Sequence, residues 1–373
     1  MDAYKARIAE TSEIQGLRER WNELVLSMQL PSVFCTWEWM TLWWKHFGHS
    51  YRPLLLLIFK GEVLVGILPL ALRTMIIEDG VTPGRALTLW GSIDLHSDHL
   101  DIIAGVEDAE NCLDAALRFL GRDFRGWDVL HLSHVSEESC IFRTIRAGKG
   151  PLKADFQNVS VSPYIAIAAD HGFEIDNYLK SLGRNKRHDI KRRMKNLYEK
   201  DKVAYMRSDP ADDPACVEAL FELHESRSRA KGQKTTFSGK KLMDFHAETA
   251  KVFGQQGWFR LRFLKNGDVP LAVIYCFSFA KRWFAYQSGL DPNWETKGIG
   301  AVLLYNAIEE AFKEHADEFD FLRGGEAYKD TWTGRHRDLW DIRIYNSTLA
   351  GLLFKGSYRL RSMLKGMIKK DAR

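Results

Sequence analysis

The string Asp320-Phe321-Leu322-Arg323-Gly324-Gly325-Glu326-Ala327-Tyr328-Lys329 empties a short apolar run into a loop dense with ionisable side chains. Charged groups at the end of a sheet strand must be paired or solvated, and a cleft offers both. Glu326, held or tuned by Arg323 or Lys329, suits general-base work, and Tyr328 suits a general acid because its hydroxyl titrates near an amine. The same Arg, Glu and Lys would equally form a surface ion network. A second candidate base, His224, precedes Arg227 and Ser228 by one helical turn on one face. Many helix-surface histidines have no such role.

Two further strings bear on binding. Asp94, His96, Asp98, His99 and Asp101 cluster in the first half, but their spacing matches no standard metal motif, so no metal is expected. They read better as a loop entering a cleft, with Asp98, His99 and Asp101 as candidate substrate contacts. In Glu295-Thr296-Lys297-Gly298-Ile299-Gly300-Ala301, two glycines open a helical run. The orphan N–H groups and dipole of a helix start favour an anion. Glu295 opposes that use, Lys297 would offset it, and a plain capping turn fits the same glycines.

These residues need a large scaffold. The 373 residues set a prior of about two domains, and 45% apolar with 27% charged residues is ordinary globular composition. Twelve Trp predict thick cores, a greasy ligand site, or both. Five Cys with no C-x-x-C pair argue against a disulfide scaffold and a zinc site, and for a reducing, cytoplasmic setting. The N-terminus lacks the apolar run of a signal peptide. The apolar stretch 53–72 is broken by Lys60, Gly61 and Glu62, so it reads as a hairpin and not a membrane span.

Charge is uneven. Residues 184–202 carry nine Lys/Arg against three acids, and 349–373 carry seven against one, so these strips hold +12 and the remainder −8. Such strips suit an anionic partner: phosphate, an anionic membrane surface or nucleic acid. In the tail, Leu349, Leu353, Leu360, Leu364, Met367 and Ile368 recur near helical spacing among basic residues. That pattern fits a membrane-interfacial helix or one docked on the body.

The spacing predicts helices over 13–29, 36–47, 108–120, 136–146, 174–199, 214–230, 239–253, 299–314 and 347–369. Strands are expected at 53–59, 63–72, 86–90, 100–103, 127–132, 160–168, 258–265, 269–279, 282–288, 319–323 and 339–345. Asn266-Gly267 marks a hairpin. Helices, a meander and then β-α-β occur twice, which predicts lobes at 1–160 and 161–348 followed by a basic amphipathic helix at 349–373. Gly148, Gly150, Pro151 and Pro163 punctuate the boundary.

This order resembles the GNAT acyltransferase superfamily. CTWEWMTLWWKHFG resembles the Trp-rich entry segment of two-lobed, cellulose-biosynthesis-type acyltransferases, and FDFLRGGEAYKDTW resembles their R-G-x-E-x-Y-K signature. SGLDPNWETKGIGAVLLYNAIEEAF falls where that family has its glycine-containing helix start. The related Fem peptidyltransferases share the doubled fold but take their acyl group from aminoacyl-tRNA. The resemblance implies an α/β fold of tandem GNAT-like lobes, each a mixed, mostly antiparallel sheet flanked by helices. It implies an acyl-CoA co-substrate whose pyrophosphate meets Lys297, Gly298, Ile299 and Gly300. It also implies a pairing break near Ser288 and Gly289 that frees an oxyanion donor. Tyr286, in the same strand, is either a substrate contact or core, and Trp283 is core. The implied reaction is attack of an amine on a thioester without a covalent enzyme intermediate. The acceptor would be a lipid amine or an envelope amino sugar, serving lipid or exopolysaccharide biosynthesis at the inner membrane face. An aminoacyl-tRNA transferase, or a non-catalytic membrane or nucleic-acid adaptor on a degenerate fold, are the rival expectations.

Overall fold

The computed structural model describes residues 4–76, 83–148, 153–208, 215–232, 235 and 237–371, with 361–371 as backbone only. Gly150 and Pro151 at the expected boundary, and the side chains of Leu364, Met367 and Ile368, lie outside the described residues. Two compact units divide the chain, one of Met1–Ser160 with Asp338–Arg373 and one of Val161–Arg337. The first unit is thus discontinuous in the chain, since residues 338–373 return to it after the second.

The first unit contains β1 (Tyr4–Ile8), α1 (Arg18–Leu26), α2 (Trp37–Phe47), β2 (Arg52–Lys60), β3 (Val63–Ile76), β4 (Pro83–Leu89), β5 (Ile103–Ala104), α3 (Ala109–Arg122), β6 (Val129–Ser136) and α4 (Cys140–Arg146). From β7 (Ala154–Ile165) the chain enters the second unit, with α5 (Ile167–His171), α6 (Ile175–Ser181), α7 (Arg184–Lys195), β8 (Val203–Ser208), α8 (Cys216–Ala230), α9 (Lys240–Gln255), β9 (Phe259–Asn266), β10 (Val269–Phe279), β11 (Arg282–Leu290), α10 (Ile299–Lys313), β12 (Glu318–Asp320) and α11 (Ala327–Asp330). β13 (His336–Tyr345) leads back to the first unit, where α12 (Leu349–Asp371) ends the fold.

The first unit's sheet runs β1-β2-β3-β4-β6-β13, antiparallel except for the parallel β4–β6 pair. In the second unit the order is β8-β9-β10-β11-β12-β7, antiparallel except for β11–β12. Each is the mixed, mostly antiparallel sheet that the resemblance implies. β1 and β8 escape the apolar pattern because they are edge strands whose side chains are largely open to solvent.

The tryptophan load resolves as core. Trp21, Trp39, Trp43 and Trp90 are fully buried in the first unit, and Trp44 stacks on Trp90 with ring centroids 5.0 Å apart. Much of the Asp94–Asp101 loop packs into that core, with His96 exposed. Asp94 accepts from Trp43 Nε1 and from the Tyr51 hydroxyl, and Ser97 Oγ accepts from Trp39 Nε1. Asp98 and His99 are buried. The Asp101 carboxylate accepts from the Cys140, Ile141 and Ile102 amides at 2.6, 2.9 and 2.8 Å, so it satisfies orphan donors at the start of α4.

The expected helix 174–199 breaks at Leu182-Gly183. There the Arg187 guanidinium donates to the carbonyls of Leu179, Lys180 and Leu182. α10 is apolar nearly all round and buries Ile299, Val302, Leu303, Ala307 and Ile308 in the second unit's core with Ile274 and Trp283. β12 stops at Asp320, short of the expected 323. The Asp320 carboxylate accepts from the Leu322 amide at 2.7 Å, and Leu322 has left-handed backbone at φ 57°.

Candidate functional site

The site is built on the free end of β11. Parallel pairing with β12 covers only Arg282, Trp283 and Phe284, while β11 continues to Leu290 on β10. Beyond β12 the chain bends away, with the Phe321 amide on the Pro163 carbonyl and the Gly324 amide on the Val161 carbonyl. The break therefore opens after Phe284, earlier than the expected Ser288 and Gly289, and among the described residues leaves one edge of 285–290 without a neighbouring strand. Tyr286 is the extra residue of a β-bulge, because Tyr275 faces Gln287 and Cys276 faces Ala285. Its ring packs among Phe237, His246, Tyr275 and Phe277 and is partly buried.

Ser288 turns both of its backbone groups to this open edge. Its amide donates to Gln287 Oε1 at 3.2 Å, and its carbonyl accepts from His224 Nδ1 at 3.0 Å. A carbonyl only accepts, so Nδ1 carries the proton and Nε2 takes the Thr235 hydroxyl at 2.8 Å. Both nitrogens of His224 are thus engaged. Gln287 and Thr235 escape sequence reasoning, since neither carries a charge or a motif. α8 lies directly on the strand here: a Cβ at Gly289 would overlap the His224 backbone nitrogen. One turn on, Arg227 Nη1 reaches Ser288 Oγ at 3.4 Å.

Burial lowers the pKa of His224 from 6.5, with Arg227 adding to the effect and the Ser288 carbonyl opposing it. As pH falls below 6.5 the unfolded chain takes up a proton that the folded site refuses, so stability decreases toward acid. Replacing His224 by Gln should flatten this slope in denaturation midpoints measured between pH 7 and 5, on a background set by His171, which burial also lowers, and by Asp101, which burial raises to about 6 and which acts in the opposite sense.

The segment after β12 forms the second wall. Lys329 is buried, and its ammonium donates to the carbonyls of Leu322, Arg323 and Gly324 at 3.1, 2.9 and 3.4 Å. It also pairs with Glu326 at 2.9 Å, whose side chain remains 57% exposed. Lys329 therefore staples the loop, and Glu326 stands at its mouth. Tyr328 is half exposed, yet the surrounding protein raises its hydroxyl to about 12, burial first and the Glu326 charge second, with Arg227 opposing. Arg227 thereby links Tyr328 to Ser288. Behind the loop, Asp320 and Glu318 are buried between Arg282 and Arg337.

The third wall is the start of α10. Gly298 adopts φ 74°, which favours glycine, and the Arg193 side chain from α7 occupies the space its Cβ would need. Among the described hydrogen bonds the Ile299 and Gly300 amides have no backbone acceptor. Glu295 is paired with Lys231, the residue after α8, at 3.3 Å. Lys297 is bound elsewhere, to Asp201 at 2.8 Å and over the Trp294 ring, so Lys231 rather than Lys297 offsets Glu295.

α7 ties these walls together. Its Lys186 donates to Thr331 Oγ1 at 2.8 Å, and its Arg193 lies on Gly298. Seven helical residues span about 10 Å, so the 323–331 segment and the α10 start lie on one side of this unit. The basic strip 184–202 is accordingly not one free patch. Arg187 binds carbonyls, Arg192 and Arg193 share Asp189, and Lys186 lies 4.1 Å over the Trp332 ring.

Residues 184–330 match the family model described as the acetyltransferase (GNAT) domain, and this stretch contains all three walls of the site. No curated protein matches the chain. Among solved structures it is similar to FemX, with 10% identity, a TM-score of 0.64, and coverage of 94% of this chain and 100% of that one. It is similar to a conserved protein of unknown function from Bacteroides thetaiotaomicron, with 9% identity, a TM-score of 0.59, and coverage of 91% and 99%. L-PGS from Bacillus licheniformis aligns at 8% identity with a TM-score of 0.54, covering 95% and 98%. At these identities the likeness is one of fold. The chain has a GNAT acyltransferase fold, with its matched acetyltransferase domain in the second unit.

Proposed function

We propose that the second unit transfers an acyl group from a CoA thioester to a primary amine, forming an amide directly. The reading rests on one observation: the backbone of Ser288 faces an open strand edge between the Arg193-backed start of α10 and the Glu326–Tyr328 loop. The Ile299 and Gly300 amides with Arg193 hold the donor's pyrophosphate. The Ser288 amide leaves Gln287 Oε1 to stabilise the oxyanion of the tetrahedral intermediate. Glu326 takes the proton of the incoming ammonium, while Tyr328, protonated at neutral pH, gives one to the departing thiolate. His224 holds the Ser288 peptide and is not the base, since both of its nitrogens are bonded. Direct transfer fits the thiols: all five cysteines are buried, and burial raises Cys35, Cys112 and Cys140 to about 12.

The cellulose-biosynthesis-type strings favour a long-chain lipid amine or an envelope amino sugar as acceptor. The test is thiol release from a panel of acyl-CoA chain lengths with amino sugars and long-chain amines. Saturable, RNase-insensitive release that requires the amine is the expected result. Transfer only from charged tRNA, lost on RNase treatment, would replace this reading with the Fem-type one. Failure of both donors would leave a binding protein.

A further inference from the structure

The C-terminal helix presents two unlike faces. One is docked on the first unit. Phe354 is buried against Gly84, Ala86 and Val129, and Gly351 sits tight on the Asp128 and Asn346 carbonyls. The Tyr358 hydroxyl donates to Gln157 Oε1 at 2.7 Å, Arg343 lies 4.2 Å over the Tyr358 ring, and Arg359 pairs with Asp155 at 2.9 Å. The other face carries Leu349, Leu352, Leu353 and Leu360, which are 76, 58, 42 and 61% exposed. At 100° per residue these four fall within one outward stripe about 18 Å long, bordered on one side by Lys355 and by Arg359, which is itself held on Asp155. Among the described residues no helix is long and apolar enough to cross a membrane.

We infer that this stripe lies in the headgroup layer of an anionic bilayer, with the helix axis parallel to the surface. Charge selects the occupant. Residues 349–373 carry seven Lys/Arg against one acid, so anionic headgroups meet this basic segment while the leucines enter the acyl boundary. A second copy of the chain would bring two such strips together and is repelled. A protein groove would have to be both apolar and acid-rimmed in matching shape, whereas a bilayer supplies both without a shape requirement. Because Phe354, Tyr358 and Arg359 fix the helix to the body, the stripe is oriented before it meets the surface.

The test is flotation of the full-length protein with vesicles of phosphatidylcholine and of equimolar phosphatidylglycerol and phosphatidylcholine. Wild type should float with the anionic vesicles, lose binding at high salt, and stay down with phosphatidylcholine alone. The double variant Leu352→Glu/Leu353→Glu, on outward positions, should keep its thermal midpoint and need at least tenfold more lipid. Lys355→Gln should weaken binding about fivefold. Three outcomes would overturn the inference. Wild type could ignore both vesicles. The double variant could bind as wild type does, which would move the contact to other cationic surfaces such as 184–202. Or wild type could self-associate through this face in sedimentation, with the double variant monomeric and neither floating. None of these outcomes bears on the transfer reaction, which is assayed separately with soluble substrates.

Discussion

Glu326→Gln should lower amide-forming turnover at least tenfold and leave the denaturation midpoint essentially unchanged. A positioned base contributes about 10²–10⁴-fold, and the amide cannot take the ammonium proton. The fold survives because the Glu326 side chain is more than half exposed, and its partner Lys329 keeps three carbonyl acceptors without it. Solvent screens the open carboxylate end of the pair while those carbonyls keep the buried ammonium bonded, so the loss should stay near about 1 kcal/mol. Steady-state rates at saturating amine, beside chemical denaturation of both proteins, decide the matter. An unchanged rate would remove Glu326 as the base. A matching fall in stability would instead show that Glu326 only braces the loop.

The largest expected effect on stability is at Arg337, which touches no part of the open edge. Its guanidinium donates to Glu318 and, at 3.2 Å, to Asp320, while stacking 3.7 Å from the Tyr164 ring centroid. Asp320 is fully buried and also accepts from Ser162 Oγ and the Leu322 amide. Arg337→Met removes one of two cations from this group and leaves two buried carboxylates on Arg282 alone. Breaking a buried pair this way costs about 3–5 kcal/mol, far more than the intact pair contributes over an apolar replacement. A urea midpoint shifted to match, with loss of transfer activity because the Leu322 turn leads into the Glu326 loop, is the expected result. A shift within about 0.5 kcal/mol would mean that water enters and solvates the carboxylates.

Most helices and strands were readable from the chain because apolar spacing records which face is buried. Edge strands β1 and β8 were not readable, since half their side chains face water and carry no such record. The packing of the Asp94–Asp101 string was not readable for a related reason: a run of acids and histidines looks the same whether it lines a cleft or caps helices and tryptophans inside a core. Asp101 is spoken for by three amides, one of its own neighbour and two from α4 across the unit, and no local pattern announces that. Lys297 misled too, because its partner Asp201 is distant in sequence.

By itself the sequence determined the two α/β lobes, the glycines that start α10, and the ionisable string that follows β12, all through short-range rules of periodicity, turn geometry and charge. Tertiary structure alone decided that β11 outruns its parallel neighbour, that Gln287 and His224 hold the two backbone groups of Ser288, and that Arg193 backs the α10 start. It also decided which face of the last helix docks and which stays bare. Those outcomes depend on pairs of groups separated by tens of residues, and a linear pattern fixes the chemistry each group offers without fixing which group it meets.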